Sequence, residues 1–268
     1  MIREAVLSRF DRSTEVGRTE PLRVGVLVDD EAEHDVVLKV SVGPECSIEG
    51  LANEMLGSLL AADLGLPVCE PYFVRIERDF LEAVTEPSLR QRLENSCPVA
   101  FGSQHAGVQW RRWLQSDRLS VNQIDQAISV LAFDGFIGNS DRNPRNSNML
   151  VRNEDWRLID HESAFRFRMK LFPRCEPWSP GNLQMMCNFG EDSEHIFARQ
   201  LAGRNDLDFA PTRARWEGLS DVRLAQYDAA LPDEWEEVRP FLSEALEHIK
   251  QIRDQIDRCI GEIERVLS

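Results

Sequence analysis

Hydrophobic positions follow two regimes along the chain. Up to about residue 100 they come in short, β-branched runs. LRVGVLV (22–28) and DVVLKVS (35–41), separated by the acidic turn DDEAEH, have the pattern of an antiparallel hairpin. Ser47 opens a predicted helix that runs to about Asp63, with Leu51, Met55, Leu59 and Ala62 on one face and Gly65 and Pro67 ending it. PYFVRI (71–76) reads as a third strand, 79–95 as a polar helical stretch, and PVAF (98–101) as a short strand before the Gly102/Gly107 loop. From about residue 108 the spacing turns helical. VQWRRWLQ predicts a short amphipathic helix and VNQIDQAISVLAFDGFIG (121–138) a long one. A polar loop (139–148) leads to two short strands, MLVR and WRLID, around a turn at 153–155. Beyond Phe165 the chain is irregular around Pro173, Pro177 and Pro180, then helical again. The pattern predicts an α+β chain with a small β-rich N-terminal lobe (1–103) and a larger helical C-terminal lobe (104–268).

The final helix carries a heptad seam: Leu242, Ala245, Ile249, Ile252, Ile256, Cys259, Ile263 and Val266. Either the helix packs on its own lobe or 240–267 forms a homodimeric coiled coil; the small Ala245 and Cys259 in the seam favour the first.

Composition narrows the partners. Acidic side chains number 46 against 31 basic, a net charge of −15, so a duplex nucleic acid is not the expected partner. No apolar run is long enough to cross a membrane, and the N-terminus lacks an apolar signal core, so the expected location is cytoplasmic. The six cysteines are scattered without a CxxC pair, which argues against a structural zinc site. Only Lys39, Lys170 and Lys250 are lysines, so a lysine inside the apolar strand VVLKV invites a chemical reading.

The densest chemistry lies in 133–165, FDGFIGNSDRNPRNSNMLVRNEDWRLIDHESAF. Phosphoryl transfer needs a carboxylate to orient a hydroxyl and hard oxygen ligands for Mg²⁺. Asp141 can supply the first; Asn146, five residues on, and Asp160, after a strand–turn–strand, can supply the second. Asp-x4-Asn is the spacing of protein-kinase catalytic loops. Lys39 can contact nucleotide α/β-phosphates if a helix carboxylate holds it; Glu54 and Glu49 are the candidates, and Glu54 is preferred for its place a turn and a half into the helix. The loop around Gly17 and Thr19 can offer backbone N–H groups to phosphate. An adenine-contacting hinge is placed at Phe101–Ser103. Taken singly, an aspartate in such a loop is most often a cap and an asparagine a turn former. The ordered set of strand Lys, helix Glu, Asp-x4-Asn, hairpin and Asp carries the functional reading.

DGFIGNSDRNPRNSNMLV followed by WRLIDHESAF, with NEMLGSLLAADLGLPV (53–68) upstream, resembles the HipA-like kinases over roughly residues 15–170. The resemblance implies a bilobal protein-kinase-like fold and transfer of the γ-phosphate of ATP, with Mg²⁺, to a serine or threonine of a protein. It implies Lys39 as the phosphate-binding lysine, Glu54 as its partner, Asp141 as catalytic base, and Asn146 and Asp160 as metal ligands. It also carries the expectation of a bacterial, antitoxin-like partner. Asn139, Arg142 and His161 are read as supporting residues: Arg142 by pairing with a carboxylate or stabilising the loop, His161 by orienting the metal loop through a ring N–H or simply as a buried histidine. Trp110 and Trp113 read as packing. Arg166 and Arg168 lie where an activation segment would be.

Two positions depart from the family pattern. Asn143 stands where histidine is frequent, and it can still make loop hydrogen bonds. Glu162 stands where glycine is usual; it lowers activity, favours another metal, or points outward. Two rival readings remain. A small-molecule kinase of aminoglycoside or sugar type usually carries H-G-D where this chain has N-S-D. A non-catalytic nucleotide-binding module has Glu162 in its favour.

Overall fold

The computed structural model describes residues 2–13, 19–28, 32–43, 45–165, 176–191 and 193–268. Strands β1 (Arg3–Ser13), β2 (Leu22–Val28), β3 (Glu33–Lys39), β5 (Val99–Gln104) and β4 (Pro71–Arg75) close into a barrel in that order. The hairpin predicted at 22–41 is present as β2–β3, with Leu22 opposite Leu38. Neighbours pair antiparallel except β1 and β4, which run parallel and close the barrel. Closure removes the exposed edges that an open sheet would leave. The hydrophobic pattern predicts no strand before residue 22, so β1 is an addition. Its polar tail and two register shifts, after Leu7 and Phe10, mask the alternation.

Alternate residues fill the barrel: Leu22, Val24 and Val26 from β2, Val36 and Leu38 from β3, Tyr72 and Val74 from β4, Ala100 from β5. At Gly102 a Cβ would lie 2.6 Å from Val36 Cγ1 and 3.0 Å from Val74 Cγ2, so the interior there has room only for glycine.

Helix α1 (Ile48–Asp63) starts where predicted, with Ser47 Oγ accepting from the Gly50 N–H at 3.0 Å. It is apolar nearly all round, and every residue from Gly50 to Ala61 is buried, although Ala62 of the predicted face is exposed. It packs against β5 and shares the larger of two hydrophobic clusters with Phe73, Val99 and Phe101 of the barrel and with Phe133 and Phe136 of the helical region.

The polar stretch 79–95 is two helices, α2 (Arg78–Ala83) and α3 (Pro87–Glu94), because Pro87 disfavours helical backbone at the residue before it. The segment VQWRRWLQ is not a helix. After Gly107 (φ +96°) the chain extends, and Arg111–Arg112 forms β6, paired with β7 (Met149–Arg152), which pairs in turn with β8 (Asp155–Leu158). Trp113 then packs edge-on against Trp156 and Phe197 at 5.9 and 5.5 Å. An eight-residue helix is marginal alone, and sheet pairing wins.

Helix α4 (Ile124–Ile137) follows a 3₁₀ turn at Val121–Gln123 and ends on Gly138 at φ +70°, a left-handed cap that delivers the polar loop. The C-terminal region contains α5 (Ala198–Leu201), α6 (Ala210–Glu217), α7 (Asp221–Ala229), a 3₁₀ segment (Asp233–Val238), α8 (Arg239–Asp254) and α9 (Ile256–Leu267). The single long terminal helix expected is thus two, broken at Gln255. All eight seam residues are buried in the chain's own core, so the seam is taken up internally and is not free for a second copy. Among the described residues no helix is long and apolar enough to cross a membrane.

Candidate active site

Lys39 is the last residue of β3. Its register partner on β5 is Phe101, and the fully buried Leu38 before it points into the barrel. Alternation therefore aims Lys39 outward, toward α1. There its ammonium meets three carboxylates: Glu54 Oε1 at 2.5 Å, Asp160 Oδ1 at 2.8 Å and Glu162 Oε2 at 2.9 Å. Of the two helix glutamates that the sequence leaves open, Glu54 is the one that contacts Lys39. Its second oxygen, Oε2, accepts from the backbone N–H of His161 at 3.0 Å, so α1 grips both the lysine and the strand end that carries Asp160.

Burial penalises the Lys39 ammonium, but the three carboxylates outweigh it and hold the group well above the ordinary lysine value. Burial pushes Glu54 up, with Lys39 opposing. Asp160 also bears a burial cost, yet Lys39 brings it below the usual carboxylate range. Asp160 adopts left-handed backbone at φ +62°, a conformation that costs a non-glycine residue about 1 kcal/mol and recurs at functional sites.

The Asp141 loop is built by hydrogen bonds. Asp141 Oδ2 accepts from Asn146 Nδ2 at 2.9 Å and from Asn148 Nδ2 at 3.1 Å, while Oδ1 has no donor among the described residues. Asn139 Oδ1 accepts the Asp141 N–H at 3.3 Å, and Asn143 Oδ1 accepts from the N–H groups of Arg145 and Asn146 at 3.0 Å. Asn143 is thus the loop former expected of it. Among the described residues the Asn146 amide oxygen has one long contact, from Arg112 at 3.4 Å.

Arg142 is the rivet of the loop. It is fully buried and pairs with the buried Asp134 of α4, Nε to Oδ2 at 2.6 Å. It also donates to the carbonyls of Asn148 and Ile159, tying the Asp141 loop to the residue just before Asp160. Asp134 accepts from Asn139 Nδ2 at 2.8 Å and from His195 Nε2 at 3.0 Å. Despite complete burial, Arg142 and His195 keep Asp134 below the ordinary aspartate value.

His161 does not orient the loop through its ring. Neither ring nitrogen has a partner among the described residues, and the ring stands edge-on to Phe133 at 5.7 Å. Burial, with the Arg142 charge adding to it, pushes the imidazole down to about 3, so it is neutral. Its contribution is the backbone N–H given to Glu54, and shape: a Cβ on Gly57 would lie 2.5 Å from His161 Cβ.

The remaining candidates divide. Gly17, Arg166 and Arg168 lie outside the described residues. Thr19 is buried, and its carbonyl accepts from Arg92 at 2.8 Å. Phe101 and Ser103 sit inside β5, which is paired on both sides, so this stretch has no free backbone groups for an adenine hinge. Pairing continues to the His105 N–H, which donates to Asp35 O at 2.8 Å.

Sequence reasoning missed Asp134 and His195. One signal was available: a lone aspartate inside the apolar helix AISVLAFDGFI demands a buried partner. It also left open which way Glu162 points; the structure turns it inward.

The donor set suits a hard cation. Carboxylate oxygens of Glu54, Asp160 and Glu162 lie within 4.8 Å of one another. A strand lysine ion-paired to a helix glutamate, beside a riveted Asp/Asn loop and a strand-end aspartate, is the arrangement of a kinase-like phosphotransferase. The chain belongs to the HipA-like kinase family, whose model matches residues 14–176. Among solved structures it is similar to the Helicobacter pylori proinflammatory kinase CtkA, at 12% identity and a TM-score of 0.49, over 97% of this chain and 99% of that one. No curated protein matches the chain.

Proposed function

We propose that the chain is an ATP- and Mg²⁺-dependent kinase that phosphorylates a hydroxyl of a protein, a serine or threonine by its family resemblance. In this reading residues 1–103 and 104–268 are two lobes with nucleotide between them. The carrying observation is the Lys39–Glu54–Asp160 contact set, joined through Arg142 to the Asp141 loop.

Each side chain then has a task. Lys39, held by Glu54, positions the α/β-phosphates. Asp160 and Asn146 offer oxygen ligands to magnesium, which when bound offsets the charge of the phosphates. Asp141, with Oδ2 fixed by two amides, presents Oδ1 to the acceptor hydroxyl and takes its proton. The hydroxyl oxygen forms the new bond to the γ-phosphorus, the bond to the β–γ bridging oxygen breaks, and ADP leaves.

Thermal unfolding with Mg-ATP tests the site. Ligand at about 100 times its Kd adds about 2.7 kcal/mol, a rise of about 5 °C or more in midpoint for a chain of this size. Asp160→Asn should lose the magnesium-dependent rise. Asp141→Asn should keep the rise and lose transfer to a protein acceptor; unchanged transfer would remove Asp141 from its role, and no rise in the native chain would remove the nucleotide site.

A further inference from the structure

A lysine ammonium has three N–H donors, and on Lys39 three carboxylates take them all. In the proposed function Glu54 is the holder and Asp160 the metal ligand. Glu162 has no task there, yet its placement is as well defined as theirs. Asn53 Nδ2 donates to the Glu162 backbone carbonyl at 2.9 Å, fixing the segment against α1. The side chain then lies over Gly50, where an added Cβ would be 3.2 Å from Glu162 Cγ and 3.5 Å from Cδ. The carboxylate ends on Lys39, with 15% of the side chain exposed.

We infer that Glu162 sets the nucleotide affinity of this site: its carboxylate occupies on Lys39 the place of a phosphate oxygen, and a nucleoside di- or triphosphate binds only by displacing it. The inference rests on the proposed nucleotide site. It follows from anion competition. Glu54 and Asp160 already hold two of the three N–H groups, so an incoming phosphate and the Glu162 carboxylate contend for the third. Once its own bond to the ammonium is lost, the displaced carboxylate is left within 4.8 Å of Asp160 and Glu54, where like charges repel. It swings away from α1, where Gly50 offers no side chain to hold it.

Calorimetric titration of the full chain, native, Glu162→Gln and Glu162→Gly, tests this. The probes are Mg-ADP, a magnesium complex of a non-transferable ATP analogue, and adenosine without phosphates. Removing the competitor in Glu162→Gly should tighten the phosphate-bearing probes about tenfold, the ratio that one charge-assisted hydrogen bond commands. Glu162→Gln, neutral but of the same reach, should tighten them less. Adenosine should bind all three chains alike. Melting curves of the empty proteins check that each is folded, and Glu162→Gln carries the test if the glycine variant is not. Equal affinities for the phosphate-bearing probes would overturn the inference and leave the nucleotide site standing. Weaker binding by the variants would overturn it too, and would make Glu162 a servant of the cation. No binding of any probe to any chain would overturn the nucleotide reading itself.

Discussion

Gly57 offers the sharpest test of how α1 meets the metal-motif segment. In the middle of an exposed helix, glycine to alanine gains about 1 kcal/mol from backbone entropy and helix propensity. Here the new Cβ would stand 2.5 Å from His161 Cβ, 2.8 Å from Cγ and 3.4 Å from Cδ2, where van der Waals contact wants about 3.5–4.0 Å. His161 cannot rotate its Cβ away. Its ring is buried edge-on to Phe133, and its backbone N–H is held by Glu54. Overpacking of this kind typically costs about 1–3 kcal/mol. A 2.5 Å approach puts the cost near the upper end, about 2–3 kcal/mol, so after the helix gain Gly57→Ala should destabilise by about 1–2 kcal/mol, and the midpoint should fall by about 2–8 °C. The assay is thermal unfolding of native, Gly57→Ala, His161→Gly and the double variant. His161→Gly removes both the ring and the offending Cβ. In that background Gly57→Ala should be neutral or stabilising, a coupling of about 1 kcal/mol or more. A Gly57→Ala protein that melts at or above the native midpoint would refute the reasoning, because α1 and the 161 segment would then have slack between them.

Two further outcomes follow from the buried polar network. Arg142→Met leaves Asp134 buried without its cation and frees the Asn148 and Ile159 carbonyls, so unfolding in urea should show a loss of about 3–5 kcal/mol; under about 1 kcal/mol would contradict the rivet. His195 accepts the Phe197 N–H on Nδ1 and gives Nε2–H to Asp134, and burial depresses its pKa below the ordinary 6.5. Below that value the unfolded chain binds a proton on this ring that the folded chain refuses, so the His195 contribution to stability falls as pH drops from about 6.5, by at most about 1.4 kcal/mol per pH unit, beside a like contribution from His161. His195→Gln, which keeps an N–H for Asp134 but does not titrate, should flatten this decline between about pH 6.5 and 5; an unaltered slope would show that the ring is not the titrating group.

Local signals carried the fold as far as local physics decides it. Ser47 and Gly138 mark helix ends because caps act over one turn, and β2 and β3 follow from β-branched runs on either side of an acidic turn. Strand β1 was illegible because its partners include β4, some seventy residues away, in a parallel closure. The segment 108–115 misled because a Trp pair three apart satisfies a helix period, while the actual structure depends on pairing with β7. In the site, Lys39, Asp141, Asn146 and Asp160 were legible through their order. Glu54 over Glu49 needed the helix phase, which the structure supplies. The direction of Glu162 and the Asp134–His195 contact depend on how α1 and the region near residue 195 pack, and no local pattern encodes that.

Lys39 and Glu54 also lie on elements that contribute to different hydrophobic clusters. Lys39 is borne by a barrel with its own hydrophobic interior, whereas Glu54 rides on a helix that packs into the larger cluster. Their bond therefore ties the strand that lines the barrel interior to the helix that lies in the larger cluster. While the amine sits among three carboxylates it stays protonated and is a poor nucleophile toward acylating reagents. With only two other lysines in the chain, the reactivity of this one amine becomes a readout of whether its carboxylates hold it. A scarcity of lysine gives the protein an intrinsic chemical gauge of this ion-pair cluster, read through the labelling of a single atom.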